Sequence, residues 1–246
     1  MFPFLQKKHI EKGHVIINGE QVAVNIYHES RNNNRVSLGK KAVNIRLSNF
    51  LSANEKQTQI NKFLEWAKTQ WKNKQTLGRK FVNGEILHLF DSKIKLYIST
   101  QAQEKIIAKQ KGDGFYIFLP KSLKEHEQSE AIKLMLVKLL RQKYQTKIEA
   151  KLHKFNSIHQ FGKLNRVVLK NNSSNWGSCS SKGNINISVR LFFAPEEVVD
   201  YVLIHELAHL KEQNHSAAYW AIVNKACPNY KKQEHWLKVN GQKCVI

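Results

Sequence analysis

Two histidines stand four residues apart with a glutamate beside the first, in His205-Glu206-Leu207-Ala208-His209, and a third histidine, His215, follows shortly after. On a helix, positions i and i+4 lie one above the other, so His205 and His209 present both imidazoles on one face and Glu206 stands next to them. This is the H-E-x-x-H arrangement. Neutral imidazoles ligate a zinc ion without cancelling its charge, the ion makes water acidic near neutrality, and a carboxylate can collect the released proton. Glu206 is then base first and acid afterwards. With His205, His209 and His215 as ligands, one tetrahedral position stays open, which is the pattern of a catalytic zinc site, and one zinc per chain is expected. Glu212 and the more distant His235 are the alternatives for the third ligand; on a continued helix Glu212 would point along the axis past the metal.

The elements that must hold these groups are legible around them. Residues 195–211 open on Pro195 with Glu196 and Glu197 in the first turn, where the helix dipole favours acids. The helix is apolar nearly all round, through Val198, Val199, Val202, Leu203, Ile204, Leu207, Ala208 and Leu210, so it must run through a core. Asn214, tolerant of the left-handed conformation, is placed to end it and swing His215 back. Upstream, residues 184–191 alternate polar and apolar, as a strand with one buried face does. As an edge strand it would hold an extended peptide by main-chain hydrogen bonds, with Asn186, Ser188 and Arg190 as candidate substrate contacts. Trp176 lies in the turn-rich segment that enters it, Asn175 to Gly183, and Tyr219 beyond the third histidine; both join the candidate substrate-binding set. Cys179 reads as a buried thiol, with a reactive thiol or a fourth ligand as alternatives.

Trp176-Gly177-Ser178-Cys179-Ser180, the strand 184–191, His205 to His209 and Asn214-His215-Ser216 with Tyr219-Trp220 resemble, in this order, the YgjP-like metallopeptidase family. The specific part of the likeness covers residues 170–240; the basic strand pair around Arg35 to Leu47 and the helix with Phe63, Leu64 and Trp71 extend it less specifically to the amino-terminal half. The resemblance implies a zincin-like, gluzincin- or SprT-like fold with zinc on His205, His209 and His215 and Glu206 catalytic. Ala208 stands where members of the family often have cysteine, which removes no ligand. Substrates in the family are diverse: some members are described as pyrophosphatases of uridine triphosphate, and related SprT-like proteases act on DNA-bound proteins. Peptide hydrolysis is the leading expectation, with a nucleoside triphosphate pyrophosphohydrolase or a nucleic-acid-associated protease as alternatives. The absence of a P-loop and of an acidic magnesium cluster favours the peptidase.

The remainder of the chain sets an α+β expectation. Val22, Val24 and Ile26, then Val43, Ile45 and Leu47, then Ile94, Leu96 and Ile98 alternate as half-buried strands. Asn83-Gly84 and Gly112-Asp113-Gly114 suggest hairpins, and pairing is expected to be mostly antiparallel. A helix carries Ile60, Phe63, Leu64, Ala67 and Trp71 after Ser52 and ends at Leu77-Gly78. After Pro120 the texture changes to a long helix over about 129–156, placing a β-rich domain at 1–125 packed on a metal-binding domain at 126–246. The formal net charge of +21 is spread along the chain and favours anionic partners, nucleic acid or nucleotide among them. Lys143, Lys147, Lys151 and Lys154 fall on one helix face and could track phosphates. Three widely separated cysteines show no disulfide or zinc-knuckle spacing, no membrane span or secretory signal is expected, and the chain reads as cytoplasmic.

Overall fold

The computed structural model describes residues 10–17, 19–39, 42–76 and 79–246, which form two compact units that divide between Gly78 and Arg79. In the first unit β1 (Ile10–Ile17), β2 (Glu20–Glu29), β3 (Arg35–Leu38) and β4 (Ala42–Ser48) make one sheet in the order β1-β2-β4-β3, followed by helix α1 (Ala53–Thr76). The alternation of apolar residues puts Val22, Val24, Val43, Ile45 and Leu47 on one face, where they are buried with Ala67 and Trp71 of α1. Ser52 starts that helix reciprocally: its N–H donates to Glu55 Oε2 at 2.8 Å while its hydroxyl accepts from the Glu55 N–H at 3.4 Å. The helix end expected at Leu77-Gly78 lies outside the described residues.

The second unit opens with the same topology. Strands β5 (Ile86–Leu89), β6 (Ser92–Gln101), β7 (Ile107–Lys111) and β8 (Gly114–Pro120) pair in the order β5-β6-β8-β7, and α2 (Glu125–His159) follows. A smaller sheet, β10-β11-β9, is built from β9 (Arg166–Lys170), β10 (Gly177–Cys179) and β11 (Asn184–Ser188); α3 (Glu196–Ala208), α4 (Ala217–Ala226) and α5 (Tyr230–Asn240) complete the unit. Leu96, Phe115 and Ile117 of the four-stranded sheet, Leu136, Leu139 and Leu140 of α2, and Leu203 and Leu207 of α3 share one core. That shared core is why the unit begins at Arg79, not at the expected 125/126 boundary: α2 buries its stripe against strands that precede it.

Several local expectations are corrected. Among the described residues five of the eight strand pairs are antiparallel, in keeping with the expectation, but every sheet is mixed, because β2 with β4, β6 with β8 and β9 with β11 run parallel; hydrophobic alternation marks a strand but not its direction. Helix α2 is longer than 129–156, starting where the Lys124 N–H donates to Glu127 Oε2 at 2.8 Å. The turn at Gly112-Asp113 joins β7 and β8 as expected, whereas Asn83-Gly84 precedes β5, and the β5–β6 hairpin turns at Phe90-Asp91. Asp91 is held there from α2, accepting from the Tyr144 hydroxyl at 2.5 Å and from Lys147 at 2.7 Å.

Two lysines of the stripe on α2 are spent internally. Lys147 is taken by Asp91, and Lys151 bridges Glu196 at 2.7 Å and Asp200 at 2.8 Å, both on α3. These contacts bolt α2 to the first turns of the helix that carries the histidines. The Lys151 side chain is only 18% exposed, so its loss leaves the half-buried Asp200 beside the more exposed Glu196 without the cation they share. Lys151→Met is expected to lower unfolding free energy by roughly 1–3 kcal/mol, the range for hydrogen bonds to charged groups. Denaturant titration checks this, and a change below about 0.5 kcal/mol would mean the bridge behaves like an exposed ion pair.

Candidate metal centre

Helix α3 threads the core: Val198, Val199, Val202, Leu203, Ile204, Leu207 and Ala208 are all buried. It stops at His209, which keeps a right-handed conformation at φ −65°, and the Leu210 N–H closes back on Leu207 O at 2.9 Å. The exit is made by side chains and not by a left-handed Asn214, since among the described non-glycine residues only Gln160 has positive φ. The Gln213 amide donates to the His209 carbonyl, and the Asn214 N–H donates to Glu212 Oε1 at 3.2 Å. Ser216 then caps α4 by accepting from the Tyr219 N–H at 3.2 Å, so His215 sits immediately ahead of that helix.

These two helix ends bring three imidazoles together. One ligand nitrogen from each of His205, His209 and His215 lies within 4.8 Å of the others, and the Nε2 atoms of His205 and His215 face each other at 3.3 Å. His209 Nδ1 lies 3.1 Å from the carbonyl of Glu212. Donating to that carbonyl fixes the tautomer and leaves Nε2 with its lone pair toward the cluster. Burial, and then the neighbouring His209 and His215, push His205 down to about 4, so its ring is neutral, while burial also lowers His209. His205 Nδ1 is buried without a partner. Three imidazole nitrogens converging with no carboxylate among them are a donor set that fits a borderline transition metal such as zinc and not a hard, oxygen-seeking ion. Glu212 instead holds the Asn214 backbone, and His235 lies exposed on α5, outside the group.

An aromatic layer supports the cluster. The fully buried Tyr219 stacks on His209 with ring centroids 4.6 Å apart and donates its hydroxyl to the His205 carbonyl at 2.9 Å. Trp220 lies between His215, at 5.8 Å, and Tyr230, at 5.2 Å. In the sequence Trp220 stands only within the family resemblance, beside Tyr219 and without a role of its own, and Tyr230 is not singled out.

Glu206 is 4% exposed, and burial raises its carboxyl to about 8. It lies against the backbone of β10: a Cβ on Gly177 would come within 2.6 Å of Glu206 Cγ and 2.7 Å of Cδ. Gly177 is therefore required for space, a role that a glycine after Trp176 in a turn-rich segment did not reveal. The neighbouring Cys179 thiol is pushed up to about 11, by burial first and Glu206 second, so it stays protonated, and it is not in the histidine group.

The other candidate residues occupy the scaffold around the site. Strand β11 ends at Ser188, with Val189–Phe193 forming a 3-10 turn, and it is the central strand of its sheet, not an edge. Its neighbours β10 and β9 occupy both of its sides. Ser188 is fully buried with its hydroxyl donating to Asn172 O at 3.2 Å, and Asn186 donates to Ser178 Oγ at 3.0 Å. Arg190 spends its guanidinium on the carbonyls of Cys244 at 2.7 Å, Asn172 at 3.1 Å and Ser173 at 2.8 Å. It also covers the Trp176 ring at 4.8 Å, whose other contact is Gly241, where a Cβ would meet Cζ2 at 2.7 Å. With Tyr219 under the histidines, these side chains shape the site from behind.

Three converging imidazoles, two from the end of a buried helix and one from the turn that follows, beside a buried glutamate packed against a short edge strand, make the site of a metallohydrolase. The chain belongs to the YgjP-like family: the model of the YgjP-like metallopeptidase domain matches residues 11–240. Among solved structures, the metallopeptidase zymogen of abylysin from Pyrococcus abyssi matches 40% of this chain and 99% of its own at 28% identity and a TM-score of 0.37. The metallopeptidase zymogen of jannalysin from Methanocaldococcus jannaschii matches 36% of this chain and 93% of its own at 16% identity and a TM-score of 0.31. No curated protein sequence matches.

Purified protein is expected to retain about one transition-metal ion per chain, and His205→Ala, His209→Ala and His215→Ala each to retain almost none. Elemental analysis after gel filtration checks this; full occupancy in His215→Ala would remove it from the ligand set.

Proposed function

We propose that the chain is a zinc-dependent metallopeptidase in which His205, His209 and His215 hold the ion and Glu206 carries the proton. The observation that supports this most directly is the position of Glu206, buried between the histidine helix and the edge strand β10. Backbone pairing shows which groups that edge offers. The Ser188 N–H donates to Trp176 O at 2.8 Å and the Ser180 N–H to Asn184 O at 3.0 Å, so residues 176, 178 and 180 pair inward with β11. The backbone groups of Gly177 and Cys179 then point outward, the Gly177 carbonyl accepting from the Asn175 side-chain amide at 2.9 Å, a bond that an incoming strand would replace. An extended substrate pairing along this edge is held by the main chain and passes Glu206 at Gly177.

When bound, zinc supplies a Lewis acid that makes water acidic near neutrality and polarises a carbonyl. Burial alone raises the Glu206 carboxyl, and a cation on the three histidines would favour its ionised form; as a carboxylate it takes a proton from the attacking water and delivers it to the departing amine nitrogen, which completes hydrolysis without a covalent enzyme intermediate. The Glu212 carbonyl and Tyr219 hydroxyl keep His209 and the His205 backbone in place while this happens. Hydrolysis of nucleoside triphosphates would need cations converging on phosphate. Arg190, the candidate cation upstream of the motif, is already committed to three carbonyls.

Two substitutions separate metal binding from proton transfer. Glu206→Gln is expected to keep its metal and lose about 10²–10⁴-fold in kcat, the range for a positioned acid–base group. Gly177→Ala is expected to keep its metal and fold but lose kcat in the same direction by displacing Glu206. Both are to be assayed with wild type against an extended peptide library and a nucleoside triphosphate panel. Pyrophosphate release that depends on Glu206, without peptide cleavage that depends on it, would overturn the peptidase reading; wild-type kcat in Glu206→Gln would remove it as the proton carrier.

A further inference from the structure

The sheet β5-β6-β8-β7 buries one face against α2 and opens the other to solvent. Strand register assigns that open face to Lys93, Lys95, Tyr97 and Ser99 of β6, Gly114, Tyr116 and Phe118 of β8, Ile107, Lys109 and Lys111 of β7, and Ile86 and His88 of β5. Tyr97 and Tyr116, neighbours across the parallel pair, stack with centroids 4.6 Å apart and planes 10° from parallel. They lean over Gly114, where a Cβ would come within 2.8 Å of the Tyr116 ring and 3.0 Å of the Tyr97 ring. The glycine thus makes room for an aromatic pair on the surface. Lysines flank it: Lys95 Nζ sits 5.4 Å from the Tyr97 centroid and Lys109 Nζ 5.3 Å from that of Phe118, and all four lysines are exposed. No strand position on this face carries a carboxylate.

We infer that this face binds single-stranded nucleic acid, bases stacking on the Tyr97, Tyr116 and Phe118 rings and phosphates pairing with Lys93, Lys95, Lys109 and Lys111. Two features select this partner. Half-exposed rings in the middle of an open sheet offer flat apolar surface to a base, which a duplex hides in its own stack. Four lysines without an interspersed acid attract a polyanion, and the chain's net charge of +21 adds long-range attraction. On α2 two of the four stripe lysines, Lys147 and Lys151, are paired with Asp91, Glu196 and Asp200, so that stripe is partly neutralised, and the rings beside it, Phe90 and Tyr144, are tilted against each other and not stacked on an open face. The interleaving of rings and lysines arises across strands, so it exists only in the folded sheet. The inference is independent of the metal site.

The test is fluorescence anisotropy of the full chain with labelled single-stranded DNA and RNA of mixed sequence, the matching duplex, and an acidic polypeptide, over a range of salt. Wild type is expected to bind single strands more tightly than duplex or polypeptide. Replacing Lys93, Lys95, Lys109 and Lys111 by Gln should weaken binding at least tenfold and reduce the slope of log K against log salt by about 3, at ~0.7 per phosphate contact on a single strand. Replacing Lys138, Lys154, Lys231 and Lys232, exposed elsewhere on the same unit, should change affinity less than threefold. The double variant Tyr97→Leu, Tyr116→Leu, which keeps Gly114 covered, should weaken binding roughly tenfold with little change in salt slope. Preferential duplex or polypeptide binding, no binding at low salt, or equal losses in the two lysine variants would overturn the proposal. Circular dichroism and metal content establish that each variant is folded, and the lysine variants, which alter only exposed positions, keep the test decisive if the tyrosine pair is needed for folding.

Discussion

Three imidazoles brought nitrogen to nitrogen from two separate elements form an arrangement that no local preference of the chain favours. The surrounding protein has to impose the geometry. The rigidity comes from burial. Helix α3 is apolar nearly all round and has no solvent face on which to slide, so the ring positions follow from the packing of Val199, Leu203 and Leu207. The last imidazole arrives from a separate element, and its position depends on a turn tied by Glu212, Gln213 and Ser216.

The parts of the second unit make most sense as responses to that demand. Lys151 fixes the first turns of α3 from α2, and Tyr144 and Lys147 fix the β5–β6 turn from the same helix. On the opposite side of the site, Arg190 gathers three carbonyls and clamps Trp176, which brings the carboxy-terminal turn and the segment leading into β10 together. Gly177 then lets β10 approach Glu206. Polar side chains that would suit substrate contacts on an isolated strand are thus used to fasten loops, because a turn-rich segment has few backbone bonds of its own and borrows donors from its neighbours.

The two units each begin with four strands in the same spatial order and a helix that follows them. In both, a parallel central pair is flanked by antiparallel strands, and one face is closed by the helix. Such a sheet leaves its second face free for other use. In the second unit that face collects aromatic rings and lysines, while the catalytic elements are appended through α2 to the other side of the core.

The spacing of His205, Glu206, His209 and His215 was legible because helical periodicity is local: four residues on an apolar helix determine which side chains share a face, and a family pattern could be read from them. Strand positions such as Val22 to Ile26 and Ile94 to Ile98, and the helix with Ala67 and Trp71, were legible for the same reason. Strand direction, the central position of β11 and the start of the second unit at Arg79 were not, since pairing partners are chosen by packing across many intervening residues. The sheet edge nearest Glu206 is not the alternating strand 184–191 but the three residues of β10, whose short length gave periodicity nothing to register. The need for Gly177 appears only when Glu206 is brought against it, and the Tyr97–Tyr116 pair only when β6 and β8 lie side by side. The sequence by itself determined the chemistry of the donors; tertiary structure decided what they face, because distances between groups remote in the chain are set by the core that both must share.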